Sequence, residues 1–600
     1  MTERETSGLP VAPSMDVAAA SVSLPPEEVV VGVRTVRIAG VAILIGIAGG
    51  FLAQGLMALI GLITNAVYYD RLSFAFSSPG GAEPGLLRGL AVPVAGALVI
   101  GLMARFGSVA IRGHGIPEVM DKILHAESRI PIRLLFLKPL SAAIAIGTGG
   151  PFGAEGPIIA TGGALGSTVG QLLRISSEER KTLLAAGAAA GMAATFGSPV
   201  SAVLLAVELL LFEYRARSII PVALAATAAT AVRIGILGPE PVFAMPAIAQ
   251  PSGSALAAYV LLGAVMGLVA AFVSRAIFAI EDAFEKLPIH WMWWPALGAV
   301  VVGLVGYFDP RTLGVGYDLI EAILSGSLLG TTLWVFVVLK FVSWSVYLGS
   351  GTSGGTLAPL FLIGGGVGAG LGAIGAASFP ALGISTSIAG LVGMAATFAG
   401  ASHALLASVV FAFETTRQPL GLLPLLGGCS AAYLVALLLS RTSIMTERLA
   451  RRGARIETAY ALDFLARVPV SESMSSEAVT LAETRSLQSV RDWLAGGADG
   501  ATHQGFPVVN GAGALVGVVT RRDLTGPESA DRPVGSVIKR PPVVIYPDST
   551  LREAADQMVR AQVGRLAVVE RRDPRRLVGV LSRSDVIAAH ARRLSHLEQA

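Results

Sequence analysis

Apolar and polar positions fall into two regimes along the chain. Up to about residue 440, runs free or nearly free of charge follow one another at 38–69, 90–104, 182–207, 218–232, 254–274 and 292–308, and residues 341–413 contain no Asp, Glu, Lys or Arg at all. About 20 apolar residues carry a helix across the hydrocarbon core of a bilayer. Most of these runs therefore predict membrane-spanning helices, and the last has the length of about three crossings. Gly and Pro clusters interrupt that last run, and broken helices are tolerated at membrane depth only where neighbouring helices or a water-filled cavity satisfy the freed backbone groups. This pattern predicts a channel or transporter body rather than a simple anchor. Beyond residue 440 the pattern changes. Short β-rich segments at 506–509 and 566–569 are accompanied by a helical spacing of Leu551, Ala554, Ala555 and Met558, the signature of a mixed α/β domain.

Composition sharpens the division. Hydrophobic residues make up 53% and charged residues 14% of the 600, which excludes a wholly soluble or a disordered chain. Residues 1–440 hold 45 charged side chains, whereas the much shorter stretch 441–600 holds 41, so a membrane body precedes a soluble tail. A net charge of +4 is too small to indicate a nucleic-acid partner. The single cysteine, Cys429, excludes a disulfide framework and most cysteine-based metal sites. Residues 1–34 carry Glu3, Glu5, Asp16, Glu27 and Glu28 without the basic-then-apolar order of a secretory signal. They read as a cytoplasmic tail, in agreement with Arg34 and Arg37 flanking the first apolar run.

The body contains a repeat. Residues 147–157, with Gly153-Ala154-Glu155-Gly156-Pro157 at their end, line up with residues 349–359 at an offset of 202. Gly162, Gly163 and Gly166 match Gly364, Gly365 and Gly368, and Gly191-Met192-Ala193-Ala194-Thr195-Phe196 recurs without change as Gly393-Met394-Ala395-Ala396-Thr397-Phe398 at the same offset. Glu208 and Glu414 follow in similar positions, though there the spacing differs by four. Glycine-broken segments at corresponding places in two halves point to an ion site near the membrane midplane, although single glycines serve equally for close helix packing. Helix starts in such breaks offer backbone N–H groups and partial positive charge to an anion. Glu155 is a carboxylate within this apolar stretch, where charge is costly. Ionised, it would take the anion's place and yield on protonation or anion competition; the alternative is a capping role at the helix start.

The sequence here resembles the CLC family of chloride channels and chloride/proton exchangers, over roughly residues 35–455. The resemblance rests on Gly113-His114-Gly115-Ile116-Pro117-Glu118, on Gly153-Ala154-Glu155-Gly156-Pro157, on Gly355-Thr356-Leu357-Ala358-Pro359, and on the stretch 183–191. It implies an all-α polytopic membrane protein, an inverted repeat of broken helices, assembled as a homodimer in membrane lipid with one anion pathway per subunit. It also implies Glu155 as the gate, and an anion held by His114, Gly115, Gly153, Ala154, Gly156, Gly355, Thr356, Leu357 and Met445, with Glu155 and Glu208 as proton-pathway candidates. Several positions depart from the common pattern. His114 replaces a serine and either donates N–H to the anion or turns away to pack. Leu357 replaces a frequent phenylalanine. Met445 stands where a tyrosine commonly reaches the inner site, and a thioether donates no hydrogen bond. Leu209 stands where exchangers commonly carry a second, proton-relaying carboxylate. Glu208 and Glu414 read as structural, buried with polar partners, and His403 reads as packed.

The tail repeats as well. Residues 515–523 match 577–585 at an offset of 62, and the two units, 467–530 and 531–595, resemble a pair of cytoplasmic α/β CBS domains. The resemblance implies an adenine nucleotide between the units, with Asp523 and Asp585 on ribose hydroxyls and Thr520 and Ser582 near phosphate; helix capping by the aspartates is the alternative. Transport itself requires no cofactor. No nucleophile–base or metal-ligand motif suggests an enzyme. Leu209 directs the expectation toward a plasma-membrane chloride channel gated by Glu155 and modulated by the tail, with a chloride/proton antiporter as the alternative.

Overall fold

A computed structural model of the chain describes residues 32–173, 175–451, 465, 468–497 and 499–599. Most of the expected N-terminal tail, the body's expected end at 455 and the tail's expected start at 467 lie outside the described residues. The chain divides into two compact units, a helical body over 29–460 and a tail over 461–600.

The first half of the body comprises α1 (Val33–Tyr68), α2 (Leu86–Leu102), α3 (Ile116–His125), α4 (Arg133–Gly147), α5 (Glu155–Leu172), α6 (Ser177–Phe196), α7 (Pro199–Ala206) and α8 (Ala216–Leu237). The second comprises α9 (Gly253–Glu285), α10 (Trp294–Phe308), α11 (Tyr317–Leu324), α12 (Gly330–Gly349), α13 (Leu357–Ser378), α14 (Thr386–Ser402), α15 (Leu405–Thr416) and α16 (Leu422–Leu439), followed by a short α17 (Glu447–Arg451). Among the described residues, eight helices are long and apolar enough to cross a membrane. The uncharged run 341–413 is divided, as its Gly and Pro clusters imply. It holds the end of α12 and then α13, α14 and α15, of 22, 17 and 12 residues. Only α13 among these is a full span, because breaks at 350–356 and 403–404 divide the rest.

The repeated glycines settle on helix contacts. A Cβ on Gly162 or Gly166 of α5 would lie 2.1 or 1.9 Å from the carbonyl oxygens of Gly187 and Leu183 in α6. Their mates Gly364 and Gly368 in α13 meet the Gly393 and Ala389 oxygens of α14 at 2.6 and 2.4 Å. Only glycine admits backbones this close. The pairing that defines the architecture joins Gly153 to Gly355, each being the other's mate at the offset of 202. The Gly355 N–H donates to Gly153 O at 3.0 Å, and the two form an antiparallel bridge. A residue bonded antiparallel to its own counterpart places the pseudo-two-fold axis between them, which is the inverted repeat in its most local form.

The caps of α7 and α15 are exchanged between halves. Glu414 at the end of α15 accepts the Val200 and Ser201 amides (3.0 and 2.8 Å) at the start of α7. Glu208, in the turn that follows α7, accepts those of Leu406 and Ala407 (3.0 and 2.9 Å) at the start of α15. These carboxylates neutralise helix starts that would otherwise present bare donors in an apolar setting. The shift of four in their spacing has a simple cause. The first hexapeptide ends α6 at Phe196, with Gly197 in the left-handed conformation (φ 62°); in the second half α14 continues through Ala399-Gly400-Ala401-Ser402 before His403 takes that conformation (φ 61°). Four residues are one extra helical turn. The His403 ring meets Tyr433 edge-on at 5.7 Å.

The tail consists of two similar units. In each, a two-residue strand runs parallel to a central strand that pairs antiparallel with a third: β1 (Leu481–Ala482), β2 (Gly505–Val509) and β3 (Leu515–Thr520) in one, β4 (Val544–Ile545), β5 (Arg565–Val569) and β6 (Leu577–Ser582) in the other. The helix α20 (Leu551–Arg560), preceded by α18 (Leu487–Ala495) and α19 (Arg521–Leu524) in the first unit, starts at Thr550 in a reciprocal capping box with Glu553 and buries Leu551, Ala554 and Met558. Leu515, Ala567 and Val569 form a small apolar cluster between the two units.

Candidate functional site

Three chain breaks and the start of α11 converge on the pseudo-two-fold axis. Gly115, the N-cap of α3 (φ 99°), lies so close to α5 that an added Cβ would stand 2.3 Å from Gly156 O. A Cβ on Gly156 would stand 1.8 Å from His114 O and 3.3 Å from Gly355 Cα. Gly113 is joined to the opposite break by its N–H to Thr352 O, 2.8 Å. His114, Gly115, Gly153, Ala154, Glu155, Gly156, Gly355, Thr356 and Leu357 are thus brought together, all buried. Met445 is buried in the turn that follows α16, where its amide donates to Ser443 Oγ (3.2 Å) and Ile444 N–H binds Ala401 O (2.9 Å).

Glu155 stands at the first turn of α5 with no exposed surface. One carboxylate oxygen, Oε1, accepts the Tyr317 hydroxyl at 3.0 Å. The other, Oε2, finds no partner with hydrogen-bond geometry among the described residues, although the amides of Glu155 itself and of Ala358 face the carboxylate. Around it, His114 Nδ1 and Thr356 Oγ1 are likewise buried without a partner among the described residues. Buried polar groups are nearly always hydrogen-bonded. Two unmatched side chains able to donate, beside three helix starts, therefore fit a small anion as the missing acceptor, and chloride carries no donor demand of its own.

Cationic side chains brace this junction without entering it. Lys138, buried in α4, donates to Ile111 O and Gly113 O, both at 2.8 Å. Its mate at the offset of 202, Lys340 in α12, donates to Thr312 O (2.9 Å) and Gly314 O (2.8 Å). Each lysine pins the loop that leads into a helix start, α3 in one half and α11 in the other. Glu118 accepts the Gly115 N–H (2.7 Å) and faces Arg448 (3.4 Å), which also pairs with Glu281 (2.8 Å). The lysine pair and Tyr317 were not singled out from sequence. A lysine recurring at the repeat's own offset inside apolar runs is a signal that would have found the pair; Tyr317 has no counterpart, since aligning Gly115 with Gly316, a local offset of 201, puts Ile116 at its position.

A cavity of about 300 Å³ lies elsewhere in the body, lined among others by Arg275, Asp282, His403, Ser443, Glu447 and Arg451. Leu209, in the turn after α7, is buried. In the tail, Thr520 and Ser582 are the helix caps and the aspartates complete their boxes. Thr520 donates through N–H and hydroxyl to Asp523 Oδ2 (2.9 and 2.5 Å), and Ser582 does the same to Asp585 Oδ2 (2.7 and 2.8 Å). Asp523 Oδ1 also takes Lys539 Nζ at 2.6 Å. Partial burial raises the Asp523 pKa, but Lys539 and Thr520 outweigh it and hold this carboxyl below the usual aspartate range.

An inverted repeat of broken helices that meets around a carboxylate and orphaned donors defines a membrane transport protein for small anions. The chain belongs to the CLC family: the model for voltage gated chloride channels matches residues 95–437, and that for CBS domains matches 470–526 and 534–592. It is 32% identical over 372 residues, 60% of this chain and 79% of the relative, to an H(+)/Cl(-) exchange transporter ClcA of Vibrio campbellii. It is 28% identical, over 60% of this chain and 85% of the relative, to a putative chloride channel protein ClcB-like of Ralstonia nicotianae. The fold is shared with the crystal structure of a slow cyanobacterial Cl-/H+ antiporter, with a TM-score of 0.63 and 23% identity over 72% of this chain and 99% of that one. The protein is thus a multi-pass integral membrane anion transporter with a CBS pair.

Proposed function

We propose that the protein is a chloride/proton exchanger in which Glu155 alternates between occupying the anion site and carrying a proton. The observation that carries this reading is a protonatable carboxylate buried inside the junction of helix starts, held by the Tyr317 hydroxyl and faced by the Glu155 and Ala358 amides. Ionised Glu155 and chloride compete for the junction and its helix-start amides, while His114 and Thr356, which Glu155 leaves unmatched, are further donors for chloride. Protonation removes the carboxylate's charge, ends that competition, and makes each chloride entry depend on a proton. The exchange function named for several relatives, the Vibrio proteins among them, supports the same reading.

A passive channel is the second reading, and Leu209 favours it, because an aliphatic side chain relays no proton. Glu208 beside it has both oxygens engaged by the α15 amides. The test is direct. Purified protein in liposomes with a chloride gradient and an external pH electrode should drive protons uphill, and Glu155→Ala should keep chloride flux while abolishing proton movement. Chloride flux with no proton pumping by the unmodified protein would reject exchange in favour of the channel.

The protein in this reading works as a homodimer in membrane lipid, with one pathway per subunit and with its N-terminus and CBS pair in the cytoplasm. The tail responds to an adenine nucleotide held between Thr520–Asp523 and Ser582–Asp585. Asp585 is the better prepared ribose ligand, since Lys539 already engages Asp523.

A further inference from the structure

The hydrogen bond from Tyr317 to Glu155 links the gate to the opposite half of the molecule. Tyr317 opens α11, directly after Gly316, whose φ of 80° is a left-handed conformation natural to glycine. The loop before it is fixed by Lys340, bonded to the carbonyls of Thr312 and Gly314. The ring is fixed by aromatic neighbours: Phe196 edge-on at 5.8 Å, Phe243 at 6.0 Å and Phe76 stacked at 6.2 Å. Backbone and ring are therefore both held before the hydroxyl reaches Glu155 Oε1. Such preorganisation makes a hydrogen bond to a charged acceptor count nearly in full.

We propose that Tyr317 is a positioning residue, a latch that holds ionised Glu155 in the anion's place and thereby sets how strongly chloride must compete to enter. This rests on the anion-site reading above and goes beyond it by assigning a separable share of the strength of the competition to one hydroxyl, beside that of the helix-start amides. A carboxylate accepts this bond better than a neutral carboxyl does, so protonation of Glu155 loosens the latch in the same step that removes the charge. Chloride entry without a proton must break the bond; entry with one need not.

Tyr317→Phe deletes the hydroxyl and keeps the ring among Phe196, Phe243 and Phe76. A hydrogen bond to a charged group is worth about one order of magnitude in an equilibrium. Chloride binding to the purified full-length protein, followed by isothermal titration calorimetry, should therefore tighten about tenfold in Tyr317→Phe, and chloride flux in liposomes should rise several-fold. In a Glu155→Ala background the same substitution should change neither, because the latch has nothing to hold. Unchanged chloride affinity in Tyr317→Phe would overturn the latch. So would an equal change with and without Glu155, which would assign the effect to packing of the ring or loop. Absence of chloride binding in the wild type and in every variant, all eluting as folded protein, would overturn the anion site itself and the latch with it.

Discussion

Replacing Glu414 by alanine uncaps α7 from across the repeat. The carboxylate accepts Val200 N–H at 3.0 Å and Ser201 N–H at 2.8 Å, and hydrogen bonds to a charged acceptor contribute about 1.5–3 kcal/mol each. Glu414 is only half-buried, which puts the pair at the lower end, about 3 kcal/mol in all. With an unfolding entropy of about 2 cal/mol/K per residue, that loss lowers the melting midpoint of a body this size by about 3–4 °C. Glu414→Gln keeps one acceptor without the charge and should lose about half as much. The assay is thermal unfolding of the purified protein in detergent, followed by tryptophan fluorescence, with chloride and proton flux measured in parallel. Glu208 holds Leu406 and Ala407 at 3.0 and 2.9 Å, so Glu208→Gln should match Glu414→Gln in stability and leave the proton-to-chloride ratio unchanged. Wild-type melting in Glu414→Ala would refute the capping argument. Loss of coupling in Glu208→Gln alone would refute the equivalence of the two carboxylates and place Glu208 on the proton route.

Three further outcomes follow from the same geometry. Lys340→Met leaves the Thr312 and Gly314 carbonyls buried without their donor, and the loss of two charge-assisted bonds should cost about 3 kcal/mol, seen as a lower yield of monodisperse protein that Lys340→Arg partly restores. Gly156→Ala would drive a Cβ to 1.8 Å from His114 O and should abolish chloride binding or folding, whereas Gly40→Ala in α1, with nothing within 4 Å, should be neutral or stabilising by up to about 1 kcal/mol; equal tolerance of both, judged by gel filtration and chloride titration, would refute the close approach. In the tail, the depressed Asp523 carboxyl contributes stability that is complete above the ordinary aspartate pKa of about 3.9 and is lost as the pH falls through its lower native value. Lys539→Ala should move the Asp523 midpoint upward in carboxyl-carbon NMR, and an unmoved midpoint would mean that Thr520 alone holds the charge.

Much of the architecture was legible because the repeat is written in residues that cannot vary freely. Gly162, Gly166, Gly364 and Gly368 mark helix contacts, and Gly153 and Gly355 mark the axis, so the offset of 202 shared by these positions carried the repeat and the convergence of its breaks. The exchange of caps was not legible. Glu208 and Glu414 stand at similar distances from their hexapeptides, but only the folded chain shows that each serves the other half, and the extra turn before His403 hid their equivalence. That the run 341–413 is broken was legible from its Gly and Pro clusters, but not where it divides, because hydropathy counts length and not direction, and α14 and α15 share one apolar stretch across a two-residue break. Tyr317 escaped because an aromatic residue after a glycine in an apolar region carries no signal of its own; its role exists only through Glu155, 162 residues earlier.

What the two halves share and what they do not separate scaffold from chemistry. The pinning lysines are duplicated, as are the exchanged caps and the left-handed glycine pairs, Gly113 and Gly115 in one half, Gly314 and Gly316 in the other. At the corresponding positions the reactive side chains are single: Glu155 faces Leu357 at the offset of 202, and at the offset of 201 that pairs Gly113 and Gly115 with Gly314 and Gly316, His114 faces Val315 and Tyr317 faces Ile116. The axis itself imposes this asymmetry. Gly153 and Gly355 are in contact, and a Cβ on Gly355 would lie 3.0 Å from Glu155 Oε2. A carboxylate repeated at 357 would therefore enter the same junction as Glu155, where two like charges cannot both remain ionised. In the exchanger reading proposed above, a symmetric backbone builds one anion site on its axis, but only one half can supply the charge that competes for it, and the other half is left to supply the donor that holds that charge in place.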